Sequence, residues 1–153
     1  MPKINVMQLL FIVVFILQTF NLNAQIGLAV AKNDNGSSVK YVLETGSNVN
    51  DAIAKAVKVL EAEDAKNIFK LKSTEKTGHE LNEGFYVLLL SSRKISGKFF
   101  LTYGLGGSKV SKEEAIKRAI VHIKEFDWGY ENDFGYKIEK EGKIEDLFPA
   151  EEE

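Results

Sequence analysis

Apolar residues recur along two stretches of the chain with the spacing of an amphipathic helix. Successive apolar positions are one, three, one and three residues apart, and the second set lies 63 residues after the first: Ala52, Ile53, Ala56, Val57 and Leu60, then Ala115, Ile116, Ala119, Ile120 and Ile123. A helical period of 3.6 residues brings such positions to one side. The pattern predicts two helices in a duplicated unit, each helix with one buried face.

Each predicted helix follows two β-prone runs that are separated by a turn. The runs cover residues 26–31 and 39–44 in the first copy and residues 85–91 and 99–103 in the second. The Asn-Gly pair at residues 35–36 suits the positive φ angles of a type I′ hairpin turn. Both copies therefore predict an antiparallel hairpin. The run at 85–91 is apolar at nearly every position, which predicts a place in the middle of a sheet.

A shorter run after each helix alternates apolar and charged residues, at 68–72 and 136–140. Such alternation is typical of a half-exposed strand near a sheet edge. The predicted fold class is therefore α+β: a duplicated β-β-α(-β) unit with an antiparallel sheet, continuous or in two halves, and two helices packed on one face. The polar residues 73–84 are interpreted as a linker between the copies.

Residue patterns also predict how the two helices begin. Ser111, followed three positions later by Glu114, has the spacing of a capping box. Asn50 stands near the start of the first helix without a matching glutamate. We expect Ser111 and Asn50 to cap the free backbone N–H groups of the two helices.

The first 24 residues have the layout of a secretory signal peptide. Lys3 precedes an unbroken apolar run from Leu9 to Leu17, and Ala24 offers a small residue for cleavage. A helix that spans a membrane needs roughly 20 mostly apolar residues, which is longer than this run. We therefore expect export to the periplasm or the medium, with no stable membrane anchor after cleavage.

The remainder of the chain has the size of one domain. We expect residues 25–153 to form a single α+β domain of two repeats, about 25–72 and 84–140, with an acidic, flexible C-terminal tail. The chain has no cysteine, which excludes disulfides and thiolate metal sites. Its formal net charge is −2 and its lysines are interspersed with acids, whereas binding to nucleic acid requires a clustered basic excess. No nucleic-acid partner is expected.

A glycine-rich stretch, GLGGSK, precedes the second helix at residues 104–109. It matches neither phosphate-binding motif, since the dinucleotide fingerprint requires a third glycine where Lys109 stands, and a P-loop requires Gly-Lys-Ser/Thr in that order. Gly-Ser-x-Val also precedes the first helix, which favours a plain strand-to-helix turn. A helix N-terminus beside a lysine could still hold an anion. The residues of this second hypothesis are Gly106, Gly107, Ser108 and Lys109.

The sequence carries no recognisable catalytic motif. His79 lies in the polar linker and His122 at the margin of the second helix, so we expect both at the surface or its boundary. Neither the His-Glu-x-x-His spacing of zinc proteases nor a nucleophile elbow occurs. We expect no cofactor, no metal and no enzymatic activity. The alternative is a small hydrolase or anion-binding enzyme that uses the glycine-rich turn with His122 or with the acids that end the first helix.

The segment FDWGYENDFGY, residues 126–136, has no counterpart after the first helix. It carries the only tryptophan and four further aromatic residues: Phe126, Trp128, Tyr130, Phe134 and Tyr136. These side chains could plug the core or form a recognition surface, since tryptophan and tyrosine are enriched at binding hot spots. The leading hypothesis is an exported, non-enzymatic domain that binds a protein or envelope component through them. A structural or oligomerising module that pairs through its edge strands is a third possibility.

Overall fold

A computed structural model of the protein describes residues 24–72, 75–131 and 134–148. These residues form six strands, two α-helices and a short 3-10 helix, in the order β1 (Gln25–Lys32), β2 (Ser38–Gly46), α1 (Val49–Ala62), β3 (Ile68–Leu71), β4 (Phe85–Ile95), β5 (Lys98–Ser108), α2 (Lys112–Phe126), β6 (Lys137–Lys143) and the 3-10 helix (Glu145–Leu147). The predicted signal peptide, apart from Ala24, and the acidic end of the predicted tail lie outside the described residues.

The strands form two antiparallel sheets of three strands, ordered β2-β1-β3 and β5-β4-β6. The α+β class with two β-β-α(-β) units is confirmed, with the sheet in two halves rather than continuous. β4 occupies the middle of its sheet, as its uninterrupted apolar run predicts. β3 and β6 lie at sheet edges, as their alternating patterns predict.

One face of each sheet packs against its own helix, and the opposite face packs against the other sheet. In β1, Ala29 and Ala31 pack with α1, while the alternate residues point to a core that both sheets share. In β4, Val87 and Leu89 pack with α2, and the alternate residues join the same shared core. The buried members of that core are Ile26, Leu28, Val30, Leu71, Tyr86, Leu88, Tyr103, Leu105 and Ile144. The helices therefore lie on the faces that point away from this shared core.

The glycine-rich stretch belongs to a strand rather than to a turn. β5 continues past the predicted end at residue 103 and stays in register with β4 as far as Ser108, which pairs with Phe85. A Cβ atom on Gly106 would lie 2.1 Å from the carbonyl oxygen of Ala115 and 2.4 Å from the amide of Ala119. These glycines let α2 approach the strand closely. The turn itself is confined to residues 109–111, between β5 and α2.

The helix caps agree with the sequence at α2 and differ at α1. The Glu114 amide donates to Ser111 Oγ at 3.1 Å, as predicted. At α1 the predicted cap, Asn50, is wrong, because the Asp51 amide donates to Asn48 Oδ1 at 3.0 Å. Asn48 has the extended backbone that a cap residue requires, whereas Asn50 already lies inside the helix.

Candidate functional site

The structure divides the aromatic segment 126–136 into buried and exposed side chains. Phe126 packs against the shared core, and Tyr130 is 8% exposed in the cluster beneath α2. Trp128 is 95% exposed, and Phe134 and Tyr136 are also exposed. The core interpretation therefore fits Phe126 and Tyr130. Recognition by Trp128, Phe134 and Tyr136 remains a prediction.

Trp128 stands at the tip of a tight turn formed by residues 127–130, called here the aromatic turn. The Tyr130 amide donates to the Asp127 carbonyl at 2.9 Å, and the Gly129 amide donates to Asp127 Oδ1 at 3.1 Å. The aspartate side chain therefore closes the turn on its own backbone, a role for which aspartate is favoured in turns. These two hydrogen bonds fix the backbone of the turn, while the Trp128 indole is almost fully exposed to solvent.

A buried ion pair fastens the aromatic turn to β4 and β5. Arg93 Nη2 lies 2.6 Å from Asp127 Oδ1, and Arg93 Nη1 donates to the Gly129 carbonyl at 3.3 Å. Thr102 Oγ1 donates to the second carboxylate oxygen of Asp127 at 3.2 Å. Arg93 also lies over the ring of Phe100, 5.7 Å from its centroid. Sequence reasoning missed this anchor, although the Asp-Trp-Gly triplet is itself a turn signal.

We predict that Asp127→Ala destabilises the protein by about 3 kcal/mol, because it leaves a largely buried Arg93 guanidinium without its counter-charge. Urea denaturation measures this loss. The control is Glu83→Ala, which removes the carboxylate of an exposed ion pair with Lys109 and should cost less than about 1 kcal/mol. Equal, small losses in both variants would show that Asp127 does not anchor the turn.

The expected surface position of the two histidines is wrong. His79 and His122 have no exposed surface, and their rings meet edge to face with centroids 4.6 Å apart. His122 also meets the ring of Phe126, at 5.1 Å. Polar neighbours along the sequence suggested exposure, but the linker folds back into the protein. The Thr77 carbonyl accepts from the Gly107 amide at 2.8 Å, and the His79 carbonyl accepts from the Ile26 amide at 3.1 Å.

One residue of β5 fixes the tautomers of both histidines. His79 Nε2 lies 2.6 Å from the Leu105 carbonyl oxygen, which can only accept, so Nε2 carries the proton. The Leu105 amide donates to His122 Nδ1 at 2.9 Å, so that nitrogen carries none. The second ring nitrogens, His79 Nδ1 and His122 Nε2, are buried, and neither has a hydrogen-bond partner of good geometry among the described residues, although the backbone of Leu71 and Lys72 lies near His122 and favours its charged form. The pair thus covers the open edge of β5 with neutral imidazoles.

Burial lowers the pKa of both histidines. Desolvation brings the pKa of His79 down to about 4, despite the hydrogen bond to Leu105, which favours the charged form. Desolvation, and then the neighbouring His79, hold the pKa of His122 well below its usual value of 6.5. Both rings are closed off from solvent, so we assign them a structural role. No group of three or more His, Asp or Glu side chains suited to a metal ion occurs within the described ranges.

The polar groups of the predicted anion site are already engaged within the protein. The Gly107 amide bonds to Thr77, and the Gly107 carbonyl accepts from Arg118 at 3.1 Å. Lys109 Nζ lies 2.7 Å from Glu83, and Ser108 Oγ accepts from the Val110 amide at 3.0 Å. An anion would have to displace these partners, so the hypothesis gains no support from the geometry.

A depression of about 320 Å³ lies beside the start of α2. Its lining residues are Phe85, Lys112, Glu141, Gly142, Lys143 and Asp146. Lys112 is paired with Glu141 at 3.1 Å, and Lys143 lies 3.7 Å from the centroid of the Phe85 ring. Neither the glycine-rich strand nor a histidine contributes to the depression. The hydrolase alternative therefore has no convergent set of groups in this cavity.

No protein-family model, curated protein or solved structure matches this chain. None of the helices in the described part of the chain is long and apolar enough to cross a membrane.

Proposed function

We propose that this protein is an exported, non-enzymatic domain that binds a protein or an envelope component through the aromatic turn. The observation that carries the proposal is the 95% exposure of Trp128 on a turn that is anchored by a buried ion pair. The signal-peptide layout of residues 1–24 supports export. The absence of a recognisable catalytic motif from the sequence supports a binding role.

The anchored turn suits binding because its conformation does not have to be ordered when a partner arrives. Immobilising a flexible side chain or loop at an interface consumes binding free energy, and a preformed turn avoids much of this loss. Tryptophan also offers the largest contact area of any side chain with few rotatable bonds. An exposed indole on a turn that Asp127 and Arg93 hold in place therefore has the properties of a binding hot spot.

Two further exposed aromatic residues, Phe134 and Tyr136, follow the aromatic turn along the chain. The Phe134 ring lies 6.5 Å from the Tyr130 ring at the base of the aromatic turn. Ser91 Oγ donates to the Gly135 carbonyl at 3.3 Å, which ties this part of the segment to β4. Phe134 and Tyr136 are both partly open to solvent. The proposed binding surface thus consists of Trp128 at the tip of the aromatic turn with Phe134 and Tyr136 following it in the chain, and the first unit has no such segment.

We predict that Trp128→Ala abolishes partner capture while changing the free energy of unfolding by less than about 0.5 kcal/mol, because the indole packs against almost nothing. The measurement is a cross-linked pull-down from the native envelope, combined with thermal unfolding. Trp128 is the only tryptophan, so its fluorescence should report a water-exposed indole in the free protein and shift to the blue with a captured partner.

The matched control is Phe99→Ala, since Phe99 is another exposed aromatic residue, 63% open, at the tip of the β4–β5 hairpin. This variant should capture the same partner as the unaltered chain. Equal capture by the Trp128→Ala variant would overturn the proposal. A large fall in its melting temperature would place the indole in the core and remove the site.

A further inference from the structure

The four outer strands of the two sheets differ in how their edges are protected. β3 is only four residues long, and β6 carries charged side chains at five of its seven positions. Hydrogen bonds cover the open edge of β5. The Leu105 carbonyl accepts from His79 and its amide donates to His122. The Gly107 amide donates to the Thr77 carbonyl, and the Leu101 amide donates to Ser37 Oγ. Short, charged or covered edges resist pairing with other chains.

β2 is the exception among these outer strands. It is nine residues long, SVKYVLETG, and it pairs with β1 on one side. In the described part of the chain no strand pairs with its other side. A bulge near Ala31 and Lys32 disturbs only the start of β2, beside Val39, which is 59% exposed. The remaining edge is regular, and Tyr41, Val42 and Leu43 form an apolar run at its centre, which makes it suited to pairing with another strand.

The pairing with β1 determines which backbone groups of β2 point outward. The Lys32 amide donates to the carbonyl of Asn67, which lies directly before β3. The backbone N–H and C=O groups of alternate residues of β1, such as Ala29 and Ala31, therefore point toward β2. The backbone groups of their pairing partners, Val42 and Lys40, point back toward β1. Tyr41, Leu43 and Thr45 therefore direct their N–H and C=O groups outward. The outward direction of the Thr45 carbonyl agrees with its contact to α1, since Lys55 Nζ donates to this carbonyl at 3.2 Å.

We propose that β2 pairs with β2 of a second copy of the chain, antiparallel about Val42. Residues whose backbone groups point outward must face each other across the pair, so the two-fold axis has to pass through a residue of β2 and not between two residues. Only the register centred on Val42 places Lys40 of each copy opposite Glu44 of the other. These positions form non-hydrogen-bonded pairs, whose side chains approach most closely. Opposite charges in such pairs stabilise the sheet, and like charges destabilise it.

Pairing of the two β2 strands would join the two β2-β1-β3 sheets into one antiparallel sheet of six strands. Tyr41 of each copy would exchange backbone hydrogen bonds with Leu43 of the other, and Lys55 would release the Thr45 carbonyl. The proposal does not depend on the proposed function. If both hold, the dimer presents two aromatic turns and can bind a repetitive envelope component with avidity.

Size-exclusion chromatography with light scattering over a protein concentration series tests the proposal. The purified protein should have the mass of a dimer at concentrations where Lys40→Glu and Glu44→Lys have the mass of a monomer. Each substitution creates two pairs of like charges, so we expect the dimer dissociation constant to rise at least about tenfold. Because the expected pairs are complementary, mixing the two variants should produce a heterodimer, and the double variant carrying both substitutions should dimerise again.

Glu61→Lys is the matched control, because Glu61 is an exposed glutamate near the end of α1, whereas Lys40 is paired within the chain with Glu63. This variant should dimerise normally. Far-UV circular dichroism shows whether the variants are folded. A monomeric wild-type protein throughout the series would overturn the proposal. Dimers of the Lys40→Glu or Glu44→Lys variants that are as tight as the wild-type dimer, or no heterodimer on mixing, would overturn it as well.

Discussion

Gly106→Val should lower the free energy of unfolding by at least about 3 kcal/mol, because the new side chain has no space between β5 and α2. A Cβ atom at this position would lie 2.1 Å from the Ala115 carbonyl oxygen, and main-chain atoms of a helix cannot move aside as the end of a flexible side chain can. α2 would have to lift from its sheet and expose the apolar cluster around Val87 and Leu89. Urea denaturation of the purified variant measures the effect.

Gly97→Asn provides the control for this experiment. Gly97 lies in the turn between β4 and β5 with φ of +81°, and a Cβ atom there meets no atom within 4 Å. Asparagine tolerates positive φ better than most residues, so the cost should stay below about 1 kcal/mol. If Gly106→Val were equally mild, close packing would not explain the glycine-rich strand. If Gly106→Val were stable but bound an anion more weakly than the unaltered protein, this result would support the hypothesis of an anion site at residues 106–109.

Acidification should destabilise the protein through its buried histidines. In the unfolded chain a histidine takes up its proton near pH 6.5, whereas burial brings the pKa of His79 down to about 4. The unfolded state therefore binds more protons between these values, and stability falls as the pH decreases through this window. His79 alone accounts for about 3 kcal/mol over the whole window. His122, whose pKa is also lowered, adds to the loss.

Urea denaturation between about pH 7 and about pH 5 separates this effect from most carboxylate titrations, since ordinary Asp and Glu titrate near 4. His79→Gln is the informative variant, because its amide can still donate to the Leu105 carbonyl but takes up no proton. We expect a shallower decline of stability with acid in this variant, whatever its stability at neutral pH. An unchanged decline would assign the acid sensitivity to other groups.

The periodic patterns of the sequence were sufficient to predict most of the fold. The repeated helical spacing and the two-residue alternation placed both helices and all six strands in the right order, because burial of one face determines both patterns. The end of β5 was missed because glycines usually interrupt strands. In this strand they are required by the approach of α2. The α1 cap was displaced because Asn48 and Asn50 are equivalent by residue type, and only backbone geometry distinguishes them.

The candidate site was less predictable, since it depends on contacts between distant parts of the chain. Sequence reasoning identified the aromatic segment but could not separate Trp128 from Tyr130, two positions apart, because the separation results from the ion pair between Asp127 and Arg93. His79 was expected at the surface from its polar neighbours. Its burial depends on the return of residues 77–79 between β1 and β5, which no local pattern indicates.

The shared core between the sheets makes each repeat an incomplete folding unit. Ile26, Leu28 and Val30 have no exposed surface in the whole protein, yet the first repeat by itself would leave this face open to water. Burial of apolar area is worth about 25 cal/mol per Å², so neither half can give up this contact without a large loss. The two repeats therefore resemble the subunits of a dimer that are joined covalently. Residues 77–79 of the linker that joins them are themselves packed into the structure.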